Sequence, residues 1–240
     1  MPDDTRARGG LIDGVALAKK IRTRVADDAA SLAARGCVPG LTVALVGDDP
    51  ASAVYVRAKG RACDEVGIRS NTITLPASTG EPELLNLVDT LNADPSVHGI
   101  LVQMPLPKQI DADVVIRRIH PAKDVDGFHP VNVGLLLAGS KAGFAPCTPA
   151  GMMAILHAYA VETRGAEVVV IGRSNIVGKP MVSLLIQAGS DADATVTVCH
   201  SRTRDLAGHV RRADIVIAAV GRPGLVTADM VKPGAVVIDV

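Results

Sequence analysis

The chain has 240 residues, enough for one large domain or two small ones, and 48% hydrophobic with 21% charged residues is the composition of a folded protein. Its 25 basic residues cancel its 25 acidic ones, so no global charge points to nucleic acid or acidic lipid. Two Tyr, two Phe and no Trp demand an aliphatic core and leave little for stacking against single-stranded nucleic acid.

The first ten residues mix Asp and Arg and lack an apolar stretch, so they do not read as a secretory signal. No run of about 18 apolar residues is present, so no membrane span is expected. Cys37, Cys63, Cys147 and Cys199 are far apart, with no CxxC and no His/Cys cluster. Reduced, mostly buried thiols are expected rather than a disulfide framework or a metal site, and the protein is expected in the cytoplasm.

Residues 12–34 carry Ile12, Val15, Ala16, Ile21 and Val25 on a helical pattern. A strand follows at 41–46. Residues 51–66 read as a helix with Val54, Ala58, Ala62 and Val66 facing the core, and 80–93 as another with Leu84, Leu87, Val88 and Leu91 inward. Further aliphatic runs lie at 99–102, 168–171, 195–198, 214–218 and 235–238. These runs do not alternate with polar residues, as expected of strands buried on both faces of parallel sheets. The alternation of strand and helix gives an α/β fold. Small residues and turn formers at 138–146 mark a boundary, so the domains are expected at 1–145 and 146–240. After the boundary, Thr148 reads as the cap of a new helix and Pro149 as its first residue.

In the second half, residues 168–180 form a strand, a glycine-containing turn and a helix start, with Gly172 and Gly178 flanking the turn and Ser174 where a dinucleotide fingerprint has its second glycine. Such a turn either brings backbone N–H groups to a phosphate or is a plain strand-to-helix connection. The next strand ends in His200, Ser201 and Arg202, without the acidic residue that binds an NAD ribose. With Arg173, these groups suit a 2′-phosphate and favour NADP; the other reading leaves both arginines as solvated surface. Gly221, after the third strand, would let the nicotinamide half of a dinucleotide lie close to the backbone.

In the first half, Tyr55 and Lys59 are four apart, on one face of a helix, beside the expected apolar stripe. A lysine desolvated there becomes a proton-transfer group; the plainer reading is a surface lysine packing its stem on a tyrosine. Gln103 puts an amide at the end of a buried strand, a place that needs partners or a cleft. Residues 121–130, with Asp126, are either a helix-to-strand connector or a ligand loop.

Eight segments stand out in order: VGDDPAS at 46–52, YVRAK at 55–59, VQMPLP at 102–107, KDVDGF at 123–128, PCTP at 146–149, GRSNIVG at 172–178, CHSRT at 199–203 and KPGAVVID at 232–239. Together they resemble one family, the bifunctional methylenetetrahydrofolate dehydrogenase/cyclohydrolases. The resemblance implies an N-terminal catalytic domain that binds folate and a C-terminal Rossmann-like domain that binds NADP. It implies that Lys59 is catalytic, that Gln103 hydrogen-bonds and tunes it, and that Tyr55 stacks on the folate. Ser52 and Asp126 are implied as folate contacts, with Asp126 gripping the pterin ring. Gly172, Arg173, Ser174, Gly178, His200, Ser201, Arg202 and Gly221 fall in the implied NADP segments.

The implied chemistry is oxidation of 5,10-methylenetetrahydrofolate, then hydrolysis to 10-formyltetrahydrofolate, in one-carbon metabolism, by a homodimer with no metal, nucleic acid or membrane partner. Members of the family continue beyond the segment ending here at Val240, so the C-terminal strand and helix are expected to be missing, with activity impaired or lost as one alternative. A short-chain dehydrogenase is a second, since Tyr55 and Lys59 match that family's pair; there, however, the glycine turn precedes the pair, and here Gly172 follows it. A purely structural module leaves Lys59, Gln103 and Asp126 without a reason.

Overall fold

A computed structural model of the chain describes residues 10–240. The N-terminal stretch read above as lacking a signal, 1–10, lies outside the described residues except for Gly10. The chain divides into two compact units. One is Val15–Asn132; the other joins Val133–Val240 to residues 10–14.

The first unit contains helix α1 (Gly14–Ala34), strand β1 (Gly40–Val46), α2 (Pro50–Glu65), β2 (Arg69–Leu75), α3 (Glu81–Ala93), β3 (Gly99–Val102) and α4 (Ala112–Arg118). Its sheet runs β2-β1-β3, all parallel. Alternate side chains of the central strand feed two cores. Ala44 and Val46 join Leu84, Val88, Ile100 and Val115 on one face, and Val43 and Leu45 join Val56 and Leu101 on the other. This two-sided burial is what the unbroken aliphatic runs predict. α2 starts where Asp49 accepts the N–H of Ser52 at 2.7 Å, with Pro50 in the first turn.

Helix α5 (Pro130–Leu137) straddles the division. The second unit continues with α6 (Cys147–Ala158), β4 (Glu167–Ile171), α7 (Gly178–Leu185), β5 (Thr195–Cys199), α8 (Leu206–Arg212), β6 (Ile215–Ala218) and β7 (Val236–Asp239). Its parallel sheet runs β5-β4-β6-β7. Val168 and Val170 face Met152, Leu156, Met181 and Leu185, while Val169 and Ile171 face Cys199, Val210 and Val216.

Four expectations need correction. β2 was not expected; along RSNTITL only Ser70, Ile73 and Leu75 are half-buried and the rest is exposed, as an edge strand allows. The inward face of α2 is Ser52, Val56 and Cys63, with Lys59 half-buried between them, whereas Val54 and Ala58 are exposed. α1 buries only Ala29, leaving Val15 and Ile21 exposed. Helix α6 begins at Cys147 with Pro146 as its cap, so Thr148 and Pro149 sit within its first turn, where a missing N–H is still harmless.

No disulfide joins the four cysteines; Cys63 and Cys199 are buried, but Cys147 is exposed. Among the described residues no helix is long and apolar enough to cross a membrane, and no group of three or more His, Cys, Asp or Glu is placed to hold a metal ion.

Candidate active site

In each unit the first strand is central and the following chain leaves to one side, then the other. The order reverses between β1 and β3 in one sheet and between β4 and β6 in the other. Ligands of open α/β sheets sit at the carboxyl ends of strands at such reversals. The residues singled out above gather at these two places.

At the β1/β3 reversal, the N–H of Gln103 donates to the carbonyl of Ala44 at 2.9 Å, carrying the ladder one residue past β3. The Gln103 side chain is fixed at both ends. Its Nε2 donates to the Met104 carbonyl at 2.7 Å, and its Oε1 accepts from Lys59 Nζ at 3.1 Å. Lys59 reaches it from the inward stripe of α2, so two residues 44 apart in sequence meet. The surface reading of Lys59, and its placement beside an apolar stripe of Val54 and Ala58, give way to this geometry.

Asp126 lies within electrostatic reach of the same lysine. Burial holds its carboxyl above the usual carboxylate range; the Lys59 ammonium pulls it down and the charge of Asp124 pushes it up. Tyr55 is 63% exposed, one turn before Lys59 on α2. Ser52 is buried at the start of α2 and bonded to Asp49, whose carboxyl the Ser52 backbone N–H and hydroxyl hold below its usual range.

Sequence reasoning passed over the residues that hold the 121–132 segment. Lys123 Nζ donates to the carbonyls of Leu91, Asn92 and Asp94 at the end of α3. The buried Asp124 accepts from the N–H of His129 and from Asn132 Nδ2, both at 2.8 Å. The signal available was a second acid two positions before Asp126.

In the other unit, the N–H of Gly172 donates to the Cys199 carbonyl and that of Ala219 to Ile171, each at 2.8 Å, so the ends of β5, β4 and β6 lie side by side. Gly172 has φ +123°, and a Cβ there would run into the Ala219 carbonyl oxygen. A Cβ at Gly178 would meet the Gly172 carbonyl and, at 2.8 Å, the Arg173 Cα. Both positions exclude any side chain. Ser174 Oγ accepts from the N–H groups of Val177 and Gly178 at 3.1 and 3.4 Å, closing the turn on itself and occupying the first donor of α7. These two donors are therefore engaged within the turn, whereas the bare-turn expectation offered backbone N–H groups to a phosphate.

Beyond β5, the N–H of His200 donates to Thr203 Oγ1 at 2.8 Å and His200 Nδ1 accepts from the N–H of Arg202 at 3.1 Å. This self-bonded turn presents Ser201 and Arg202 as exposed side chains, and Arg173 is exposed as well. Gly221 adopts φ +57° in open space. Next to it, a cavity of about 200 Å³ lies at the ends of β6 and β7, lined by Val220, Arg222, Leu225, Val237 and Asp239 among others. Close-packed glycines at a strand reversal fit a dinucleotide, and Arg173, Ser201 and Arg202 are exposed just past the ends of β4 and β5.

Comparison with known proteins finds a family model for each half of the chain. The family model for the catalytic domain of tetrahydrofolate dehydrogenase/cyclohydrolase covers residues 12–126, and that for its NAD(P)-binding domain covers 146–240. The bifunctional protein FolD of Burkholderia pseudomallei is 60% identical over 96% of this chain and 79% of its own length. Among solved structures, the Campylobacter jejuni bifunctional enzyme FolD superposes with a TM-score of 0.92 at 48% identity, over 95% of this chain and 79% of that one. The Trypanosoma brucei dehydrogenase-cyclohydrolase, solved with NADP cofactor and inhibitor, superposes at 0.88 with 40% identity, over 95% and 77%. These matches favour neither a short-chain dehydrogenase nor a binding protein without turnover. Two family models in the right order, spanning most of the chain, place it in the tetrahydrofolate dehydrogenase/cyclohydrolase family.

Proposed function

We propose that Lys59 and Gln103 are the proton-transfer pair of this enzyme, with folate bound by the domain at 1–145 and NADP by the domain at 146–240. The chain is an NADP-dependent methylenetetrahydrofolate dehydrogenase and methenyltetrahydrofolate cyclohydrolase. The observation that carries the residue assignment is the Lys59–Gln103 hydrogen bond at 3.1 Å.

Oxidation removes hydride from the one-carbon bridge of 5,10-methylenetetrahydrofolate, and the adjacent nitrogen lone pairs stabilise the cation left behind. The chemistry NADP supplies when bound is hydride acceptance at nicotinamide C4. In this step the protein orients. Tyr55, exposed on α2, offers a ring face to the folate, and Ser52 and Asp126 contribute polar contacts. A carboxyl raised as Asp126 is retains its proton to higher pH and suits the N–H and ring nitrogen groups of a pterin.

Hydrolysis adds water to the methenyl carbon and opens the ring to 10-formyltetrahydrofolate. Protons move from the attacking water and to the departing ring nitrogen, and Lys59 Nζ is the atom that moves them. Gln103 Oε1 takes one Nζ–H, which aims the rest of the amine; because Gln103 Nε2 is tied to Met104, the amide cannot turn its donor end to the lysine.

For the cofactor, Gly172 and Gly178 allow the close backbone turn, Ser174 closes it, and Arg173, Ser201 and Arg202 meet the 2′-phosphate. His200 shapes the turn that carries Ser201 and Arg202. Gly221 leaves room beside the backbone for the nicotinamide half. A homodimer in the cytoplasm completes this reading, and light scattering tests the assembly.

The test is Lys59→Met. Methenyltetrahydrofolate hydrolysis is expected to fall by about 10²–10⁴-fold while NADP affinity is unchanged. Hydrolysis at the parent rate overturns the assignment.

A further inference from the structure

We infer that Asp124 is a positioning residue for the Lys59–Gln103 site: its buried carboxylate anchors the turn that carries Asp126 there. The inference rests on the reading of that site given above and adds residues to it.

Asp124 is 2% exposed, and so is its partner Asn132. Asn132 Nδ2 donates both to Asp124 at 2.8 Å and to the Pro121 carbonyl at 2.9 Å, pinning two points of the loop to the start of α5. The backbone of Asp124 pairs with Ile100 in a parallel bridge, so the loop runs alongside β3, the strand that ends in Gln103. Each neighbour is fixed too. Lys123 is bonded to three carbonyls at the end of α3, and the Val125 side chain fills the space a Cβ on Gly99 would need. Gly127 turns the chain with φ +68°. Asp126 is thus delivered from a segment anchored on both sides.

A structural job alone does not require a charge at position 124. A neutral Asn would accept the same two hydrogen bonds, and burying a carboxylate beside another carboxyl costs free energy. What the charge does is act on Asp126. The charged groups that act on Asp126 are Lys59 from α2 and Asp124 from its own loop; Gln103, at the end of β3, is uncharged. Asp124 opposes the lysine and helps Asp126 keep its proton.

The test uses the full chain with ¹³C-labelled Asp carboxyls, following Asp126 by NMR as pH is varied; Asp126→Asn assigns the resonance. In Asp124→Asn the Asp126 midpoint is expected to move to lower pH, and further than in Asn132→Ser, which loosens the loop but keeps the charge, because exposure by itself also lowers a carboxyl raised by burial. In Asn132→Ser the charge stays while the anchor is lost. There kcat for hydrolysis is expected to fall roughly tenfold or more, with NADP affinity unchanged. An unmoved midpoint in folded Asp124→Asn overturns the inference; should that variant not fold, parent-like kcat and KM in Asn132→Ser overturn it. The midpoint is read without substrate. The inference therefore fails separately from the role of Lys59, which the Lys59→Met assay decides.

Discussion

Both units put their first strand in the middle of a parallel sheet and gather candidate site residues where the strand order reverses, yet they equip that place differently. At the end of β3 and on α2 the equipment is side chains fixed by hydrogen bonds: Lys59 on Gln103, Gln103 on the Met104 backbone carbonyl, and Asp126 on a loop clasped by Asp124 and Asn132. At the ends of β4, β5 and β6 it is backbone packed too closely for a side chain, at Gly172 and Gly178, with Arg173 and Arg202 exposed on the turns. A reaction that moves protons needs atoms fixed relative to each other, so its groups are cross-linked by hydrogen bonds. The turn at the other site packs its own backbone closely at both ends, so glycine stands at each, against the Ala219 and Gly172 carbonyls.

The comparison breaks most visibly at Gly178. The atoms a Cβ would strike there are backbone, the Gly172 carbonyl and the Arg173 Cα, and cannot swing aside. Gly178→Ala is expected to cost about 1–3 kcal/mol of stability and to weaken NADP binding by more than about tenfold. Denaturant melts and a cofactor titration check both. In the first unit, methyl-scale changes on the exposed face of α2, such as Ala58→Ser, are expected to do neither.

Charge at the second site is the next lever. Arg202→Ala is expected to reduce NADP affinity by about tenfold while leaving NAD affinity nearly unchanged, because only NADP carries the phosphate that a guanidinium would bind. Running Arg173→Ala in parallel assigns the phosphate contact to one turn or the other. Equal losses for NAD and NADP would show that the arginines act on the fold of their turns rather than on the phosphate.

What could be read in the sequence follows the same division. β1, β3, β4 and β6 were legible because strands buried on both faces are mainly Val, Ile, Leu and Ala; β5 and β7 were read with them although both are partly exposed, and β2 hid because most of RSNTITL meets solvent. α2 misled for a more instructive reason. Its apolar four-residue spacing, Val54 to Val66, pointed to one face, but the stripe that turns inward includes Ser52 and Lys59. Polar residues on an inward face break the hydrophobic signal at the place where chemistry is wanted. The Lys59–Gln103 contact itself was legible only through the family resemblance, since nothing local ties residues 44 apart. Ser174 looked like a missing glycine, and its role as the acceptor for Val177 and Gly178 needed three dimensions.

The smallest expected effect tests whether the proton site is held at a cost. Burial raises the Asp126 carboxyl in the folded chain above its value in the unfolded one. At pH below the unfolded value both states are protonated and the shift costs nothing. As pH rises from the unfolded midpoint through the folded one, the native state holds more protons than the unfolded state, so stability is lost across that window and stays lost above it. Asp126→Asn removes the group. The variant is expected to melt slightly above the parent at pH 8, and the advantage is expected to shrink as pH falls toward the ordinary Asp range. The same variant is expected to bind folate less well, because the carboxyl is gone. A melting difference that does not depend on pH would mean that the side chain packs rather than titrates, and the contrast between a cross-linked proton site and an open cofactor turn would then rest on Lys59 and Gln103 alone.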